Sequence, residues 1–263
     1  MIKILANDGI SQAGIDALTE KGFDVVTEHV SQDDLIKTIN SENYEVLLVR
    51  SATTVRKDLI DACPHLKVVG RGGVGMDNID VDYAREKGIN VINTPAASSA
   101  SVAELVFAHL FGMVRFLFDS NRQMPMVGDA DFKSLKKSYA NGRELSGKTL
   151  GIIGFGRIGQ EVAKRAIGLG MKVIAHDKFI EEVNITLDFF NGSKKSFTIE
   201  TESLKEVLKN SDFITLHVPK IGNKAVIGAE EIGMMKTGAG IVNAARGGVI
   251  DETALMFALD KEK

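Results

Sequence analysis

The stretch TLGIIGFGRIGQEVAKRAIGLG, residues 149–170, constrains the fold of this chain more than any other. It reads as an apolar strand, a tight glycine turn and an amphipathic helix, in that order. Gly154, Gly156 and Gly159 stand in G-x-G-x-x-G spacing at the junction. The first glycine permits the tight turn. The second lets a pyrophosphate approach the backbone, and the third lets helix and strand pack closely. Free N–H groups at the helix start, around Arg157 and Ile158, then face the phosphates and are helped by the helix dipole. The next strand, KVIAHD, ends in Asp177, roughly 20 residues on. A carboxylate there accepts hydrogen bonds from both hydroxyls of an adenosine ribose and would repel a 2′-phosphate. The pattern predicts a Rossmann domain that takes NAD in preference to NADP, a discrimination that Lys178 beside the acid could soften.

Strand–helix alternation also runs from the N-terminus. IKILA (2–6) precedes SQAGIDALTEKG, in which Ser11 can cap the helix and Gly22 can end it. DVVTE leads to SQDDLIKTIN, where Ser31 and Asp34 resemble a capping box. EVLLV (45–49) is apolar enough for a strand buried on both faces of a parallel sheet, and KVVG (67–70) and NVIN (90–93) continue the series. This predicts an open, doubly wound domain up to about residue 98.

Between the alternating regions, SSASVAELVFAHLFGMVRFLFDSNRQM keeps apolar residues at helical spacing. Val102, Leu105, Val106, Leu110, Met113, Val114, Leu117 and Phe118 make a broad face. One long helix is expected that crosses the core, joins two subunits, or does both. The segment from Pro125 to Gly147 is polar and reads as an arm with little core of its own. Past the glycine motif, VNITLDFFNGSKKSFTIE breaks the rhythm. Ile185, Leu187 and Phe189 alternate, Phe197 and Ile199 alternate, and Asn191-Gly192 marks a turn, so a surface hairpin is expected across 184–199. Helices SLKEVLKN, EEIGMMK and ETALMFALDK then interleave with strands DFITLHV and GIVNA. Asp251 reads as the N-cap of the final helix. The fold class is α/β, with two doubly wound parallel-sheet domains.

Charge and composition narrow the function. A net charge of −3 over 263 residues leaves no electrostatic footprint for nucleic acid or an anionic membrane. No apolar run approaches the ~18 residues of a spanning helix. The opening MIKILANDGI is too short for a signal segment. A single cysteine, Cys63, excludes an internal disulfide and a thiolate metal cluster and fits a reducing cytoplasm; before Pro64 it reads as small and half-buried. No metal site is expected.

Taken together, VRSATTV (49–55), GRGGVGMDNID (70–80), GINVINTP (88–95), SVAE (101–104), GFGRIG with Asp177, HVP (217–219) and NAARGGVIDE (243–252) resemble the D-2-hydroxyacid dehydrogenase family over essentially the whole chain. The first three stretches match best the members that oxidise 3-phospho-D-glycerate to 3-phosphohydroxypyruvate, the entry to serine synthesis. The resemblance implies a flavodoxin-like substrate-binding domain in residues 1–98 and a Rossmann NAD-binding domain in 99–263. Residues 99–147 would supply the helix and arm of a homodimer. Arg246 would hold the substrate carboxylate and the reacting oxygen, a task suited to a guanidinium fork that keeps its charge. Backbone N–H groups around Gly73, Val74 and Gly75 would form a carboxylate nest. Arg50 and Ser51 would reach the distal phosphate of a small phosphorylated 2-hydroxy acid. His217, Val218 and Pro219 would line the adenosine and nicotinamide-ribose side. Ala244 and Ala245 would lie beside the nicotinamide.

Oxidation of an alcohol also releases a proton, which needs a placed base. The resemblance assigns this to a histidine tuned by a glutamate, on DVFExEP-like and PHxG-like segments that this sequence does not contain. Of the five histidines, His29 and His65 sit in loop contexts, His109 on the long helix's apolar face, His176 beside the ribose acid and His217 on the cofactor side. Little or no turnover is expected from these residues alone. Two other readings stay open: a dehydrogenase acting on glyoxylate, hydroxypyruvate or D-lactate, and a non-catalytic NAD-binding dimeric module.

Overall fold

The computed structural model describes residues 1–263 apart from Ile221 and Asn223. The chain divides into two compact units, Met1–Ser98 and Ser99–Lys263. In the first, strands β1 (Lys3–Ala6), β2 (Asp24–Val26), β3 (Val46–Val49), β4 (Val68–Arg71) and β5 (Asn90–Asn93) pair in parallel in the order β2-β1-β3-β4-β5. Helices α1 (Gln12–Glu20), α2 (Gln32–Glu42), α3 (Lys57–Ala62) and α4 (Val81–Glu86) connect them. This is the flavodoxin-like order, and its direction reverses between β1 and β3. Local chemistry sets the helix starts. Ser11 accepts from Gly14 N–H, and Ser31 accepts from Asp34 N–H while donating to its carboxylate at 2.7 Å. Such a cap stabilises a helix by about 1 kcal/mol. Leu5, Leu35, Ile39, Leu47 and Val69 fill the core. Cys63 is fully buried there rather than half-buried, and burial pushes its thiol up to about 11. It packs as a small apolar group.

In the second unit, β6 (Thr149–Ile153), β7 (Lys172–His176), β10 (Phe213–Leu216) and β11 (Gly240–Asn243) form a parallel sheet of order β11-β10-β6-β7. Alternation along β6 sends Leu150 and Ile152 to one core and Ile153 to the other. On the first face lie α5 (Ser99–Val114) and α7 (Arg157–Gly168), through Val106, Leu110, Val162 and Ala166. On the second lie α8 (Leu204–Asn210), α9 (Ala229–Met234) and α10 (Glu252–Asp260), whose N-cap Asp251 accepts from Ala254 N–H.

The expected single long helix is two. The helix α5 ends at Val114, Phe116 takes a left-handed φ of 54°, and α6 (Leu117–Tyr139) leaves at 57°. The returning chain covers the break, since Arg143 N–H donates to Val114 O at 2.9 Å. The expected coreless arm is mostly helical. It is also folded back, with a non-helical backbone at Asp131. Tyr139 donates to Asp119 at 2.7 Å, whereas a straight helix would hold them about 30 Å apart. The predicted apolar face is shared between core and solvent. Val106, Leu110 and Val114 are buried, but Leu105, Met113, Leu117 and Phe118 are exposed, and so is His109. Among the described residues no single helix is long and apolar enough to cross a membrane; α5 and α6 would pass only as a bent pair.

The hairpin is present as β8 (Glu182–Asp188) and β9 (Lys194–Glu200). Its turn contains the expected Asn191-Gly192 pair, with Gly192 at φ 81°, inside a longer loop. Asp188 pairs with Lys194, which leaves a five-residue loop, 189–193, closed by Phe189 N–H on Ser193 O. Ile185 is buried in the α5–α7 core, and Val183 and Ile199 pack against it.

Candidate functional site

The carboxyl ends of the parallel strands carry the candidate residues of the second unit. Gly154 follows β6 with φ +93°, and a Cβ there would stand 2.6 Å from His217 O and 2.8 Å from Val218 Cγ1. The glycine loop and the His217–Val218 segment after β10 therefore meet only because Gly154 has no side chain. A Cβ on Gly159 would collide with the Gly154 carbonyl, so this glycine allows α7 to sit against β6. At Gly156, the N-cap of α7, nothing lies within 4 Å of a Cβ position. Its backbone is open on the side from which a diphosphate would come, with Arg157 and Ile158 at the helix start. These features fit NAD.

Asp177 follows β7 directly. One carboxylate oxygen accepts from Phe155 N–H at 2.7 Å, and the other from Phe179 N–H at 2.8 Å and Ile180 N–H at 3.2 Å. The acid is therefore a strut between the glycine loop and the start of the hairpin segment as well as a ribose candidate. Three of its roughly four acceptor positions are engaged. The exposed Lys178 ammonium lies 5.6 Å from the Phe179 ring.

His217 turns inward. Its Nε2 lies 3.0 Å from Thr215 Oγ1, its Nδ1 is buried without a partner, and burial pushes its pKa down to about 4. The ring is neutral at neutral pH. Pro219 is exposed beyond it. After β11, Ala244 and Ala245 are half-buried. Asn243 shapes the turn that follows: its carbonyl oxygen accepts from Ala245 N–H at 3.1 Å and its amide donates to Arg246 O at 2.9 Å. Arg246 is exposed, with one Nη donating to Ala245 O at 2.9 Å.

In the first unit the strand ends enclose a cleft of about 720 Å³, lined among others by Asp8, Ser11, Arg50, Arg71, Asn93 and Thr94. Arg50 was expected here, and Ser51 is exposed beside it. Asp8 and Arg71 were not foreseen. Arg71 Nε donates to Arg50 O at 3.0 Å, placing a second guanidinium at the same cleft. The signal for Arg71 was its place at the end of β4, in the glycine run already singled out. The expected nest around Gly73 is smaller than three N–H groups, because Gly73 N–H donates to Arg71 O at 3.0 Å. Among the described residues nothing accepts from Val74 or Gly75 N–H. Val74 is 38% exposed. No group of three metal-ligating side chains occurs among the described residues.

Two family profiles match in succession. The D-isomer specific 2-hydroxyacid dehydrogenase catalytic domain matches residues 4–149, and the NAD-binding domain of the same enzymes matches residues 107–263. The chain is 43% identical to a hydroxypyruvate reductase of Thermotoga maritima, covering 96% of this chain and 77% of that one. It is also 43% identical to a D-3-phosphoglycerate dehydrogenase of Methanocaldococcus jannaschii, covering all of this chain but 47% of that one. The chain thus spans about half the length of the phosphoglycerate dehydrogenases it resembles. Among solved structures, a D-lactate dehydrogenase from Aquifex aeolicus, complexed with NAD and lactic acid, superposes with a TM-score of 0.70. It is 31% identical, with 100% of this chain and 74% of that one covered.

Proposed function

The chain belongs to the D-isomer specific 2-hydroxyacid dehydrogenases and contains their NAD-binding domain, and on that premise we propose that it serves the NAD-dependent oxidation of 3-phospho-D-glycerate to 3-phosphohydroxypyruvate. The observation that carries the choice of a phosphorylated acid is the cleft of the first unit, where Arg50 and Arg71 bring two permanent positive charges to one wall. A phosphate dianion suits two guanidinium groups; an unphosphorylated acid has no second anionic group for them.

The remaining roles follow from the chain's own groups. Gly154, Gly156, Arg157, Ile158 and Gly159 take the diphosphate, and Asp177 takes the adenosine ribose. His217, Val218 and Pro219 flank the cofactor, and Ala244 and Ala245 leave room for its flat ring. NAD, when bound, supplies the hydride acceptor. Arg246 binds the substrate carboxylate and polarises the reacting oxygen, while Val74 and Gly75 offer N–H groups to a carboxylate, with Gly73 shaping their turn. The hydroxyl proton needs a base, and His217 is a poor one. Its ring is buried against Thr215, and burial pushes its pKa down to about 4, which leaves it a weak base. We expect this chain to bind NAD and substrate with little turnover of its own. The exposed apolar residues of α5 and α6 support a homodimer.

A second reading, reduction of hydroxypyruvate, is favoured by the relative from Thermotoga maritima. Calorimetric titration in the presence of NADH separates the two. The chain should bind 3-phosphoglycerate more tightly than D-glycerate. Arg50→Ala should weaken only the former, by about tenfold to a hundredfold, the effect of losing one charge-assisted contact. Equal affinity for both acids in the unaltered chain would reject the phosphate reading and leave the second.

A further inference from the structure

Arg50 stands just past β3, at the place where the strand order reverses between β3 and β1. Its loop has little backbone partnership of its own. Side chains hold it instead, from two sides. Asp8, just past β1, accepts from Arg50 N–H at 2.6 Å, from Thr53 N–H at 3.1 Å and from Thr53 Oγ at 2.6 Å. On the carbonyl side, the Asn78 amide donates to Arg50 O at 2.9 Å and to Thr53 O at 2.6 Å. Asn7 donates to Thr53 Oγ at 2.8 Å. Asn7 and Thr53 are each 2% exposed and Asn78 is 9% exposed, so the network has a buried base, while Asp8 is half-buried and Arg50 is exposed at the cleft. Both backbone groups of Arg50 and both of Thr53 are thereby pinned.

A carboxylate on the wall of a cleft that receives an anion works against binding unless its charge is used elsewhere. Here it is used on the loop. Burial alone would raise the Asp8 pKa, but the bonds from Thr53 and Arg50 outweigh it and hold the carboxyl below its usual range. We propose that Asp8 is a positioning residue for substrate recognition: with Asn78 as the opposing arm, it clamps the Arg50–Thr53 loop and so fixes the direction in which the Arg50 guanidinium meets the substrate's distal anionic group. The inference rests on the reading of Arg50 as the phosphate anchor. A clamp of this kind acts first through Arg50, whose carbonyl also holds Arg71, and so bears on the phosphate and not on the rest of the substrate, which separates it from a merely stabilising contact.

The test is a double-mutant cycle on the full chain. Titrations with 3-phosphoglycerate and with D-glycerate, all with NADH present, are run on the unaltered chain, Asp8→Asn, Arg50→Ala and the double variant. An asparagine offers one acceptor and turns an NH₂ group toward the N–H donors. Asp8→Asn should weaken 3-phosphoglycerate by about tenfold, the size of one charge-assisted bond, and leave D-glycerate and NADH within about twofold. In the Arg50→Ala background the same change should cost no more than about twofold, the share carried by Arg71 through the Arg50 carbonyl. Equal loss for both acids, or an undiminished loss without Arg50, would overturn the clamp and leave a structural role. No loss in Arg50→Ala would instead remove the anchor reading, and the clamp with it. Should Asp8→Asn fail to fold, Thr53→Val removes one of the three donors at similar volume. It should lower 3-phosphoglycerate affinity severalfold when Arg50 is present and not otherwise; the same loss in both backgrounds would overturn the proposal.

Discussion

Gly154 and Gly156 are two glycines of one motif with different reasons to be glycine. At Gly154 the backbone is left-handed and a Cβ has no room against His217 and Val218. At Gly156 the backbone has φ −70° and open space, so the unliganded fold makes no demand for glycine. Gly154→Ala should therefore destabilise the chain, by about 1–2 kcal/mol for the backbone alone and more for the contact. Gly156→Ala should leave the thermal midpoint unchanged and still abolish NAD binding, because the methyl group fills the approach path of the diphosphate. Thermal denaturation with and without NADH distinguishes them; a large loss of stability in Gly156→Ala would contradict the open cradle. His217 carries a pH signature. Its folded pKa of about 4 lies below the ordinary 6.5, so the unfolded chain binds the extra proton first. The stability that the neutral ring contributes is complete above pH 6.5 and declines as pH falls toward 4, by on the order of 3 kcal/mol in all. Urea unfolding of the chain and of His217→Gln between pH 7 and pH 4.5 should show a shallower decline in the variant. Parallel profiles would mean that the ring is not neutral in the fold.

The β8–β9 hairpin shows how an inserted element joins a core. Alternation puts Ile185 inward, where it is 1% exposed among α5 and α7 residues, while Phe190 at the tip is fully exposed. At the stem, Thr201 N–H donates to Glu181 O and Glu202 N–H to Ala175 O, both at 2.7 Å, so the hairpin closes beside the segment that holds Asp177. Ile185→Ala should cost about 2–5 kcal/mol, the usual loss for a large buried aliphatic group. Phe190→Ser should change stability by no more than about 0.5 kcal/mol. Chemical denaturation midpoints check both, and equal effects would mean that the hairpin is held by its tip. Period-two alternation made the strands and their inward faces legible in sequence. Asn191-Gly192 also marked where the chain turns, but not the length of the loop, because the register of Asp188 with Lys194 is a property of the strand pair. The break at Phe116 was equally hidden, since apolar spacing runs through it without interruption and the bond from Arg143 that covers it comes from a distant segment.

At the scale of the molecule, the two units have separate sheets and cores, and α5 and α6 leave much apolar surface uncovered. Leu117 is 52% exposed, Phe118 71% and Met126 79%. Exposed apolar side chains of this size are the ground for the proposed homodimer. The chain should sediment as a dimer, and Leu117→Asp with Phe118→Asp should yield monomers that still bind NAD. Monomeric behaviour of the unaltered chain at about 10 µM, a concentration at which an interface of ordinary strength stays formed, would reject the homodimer.

The sequence by itself determined both sheets, the place of the glycine motif between β6 and α7, and the position of Asp177 at the end of the next strand. These depend on local facts: the alternation of apolar residues, the stereochemistry of glycine and the capping groups at helix starts. Arg50 and Arg246 could be singled out in the sequence because each follows a strand inside a recognisable stretch. Only the tertiary structure decided what stands around them. Asp8 reaches Arg50 and Thr53 because β1 and β3 are neighbours in the sheet, though a whole helix–strand–helix passage separates them in the chain. Arg71 joins the same cleft through the adjacency of β3 and β4, and His217 lies over Gly154 through that of β6 and β10. Strand order is a long-range property that no local spacing records, and in the first unit it is strand order that makes the loops after β1, β3 and β4 into one clamp.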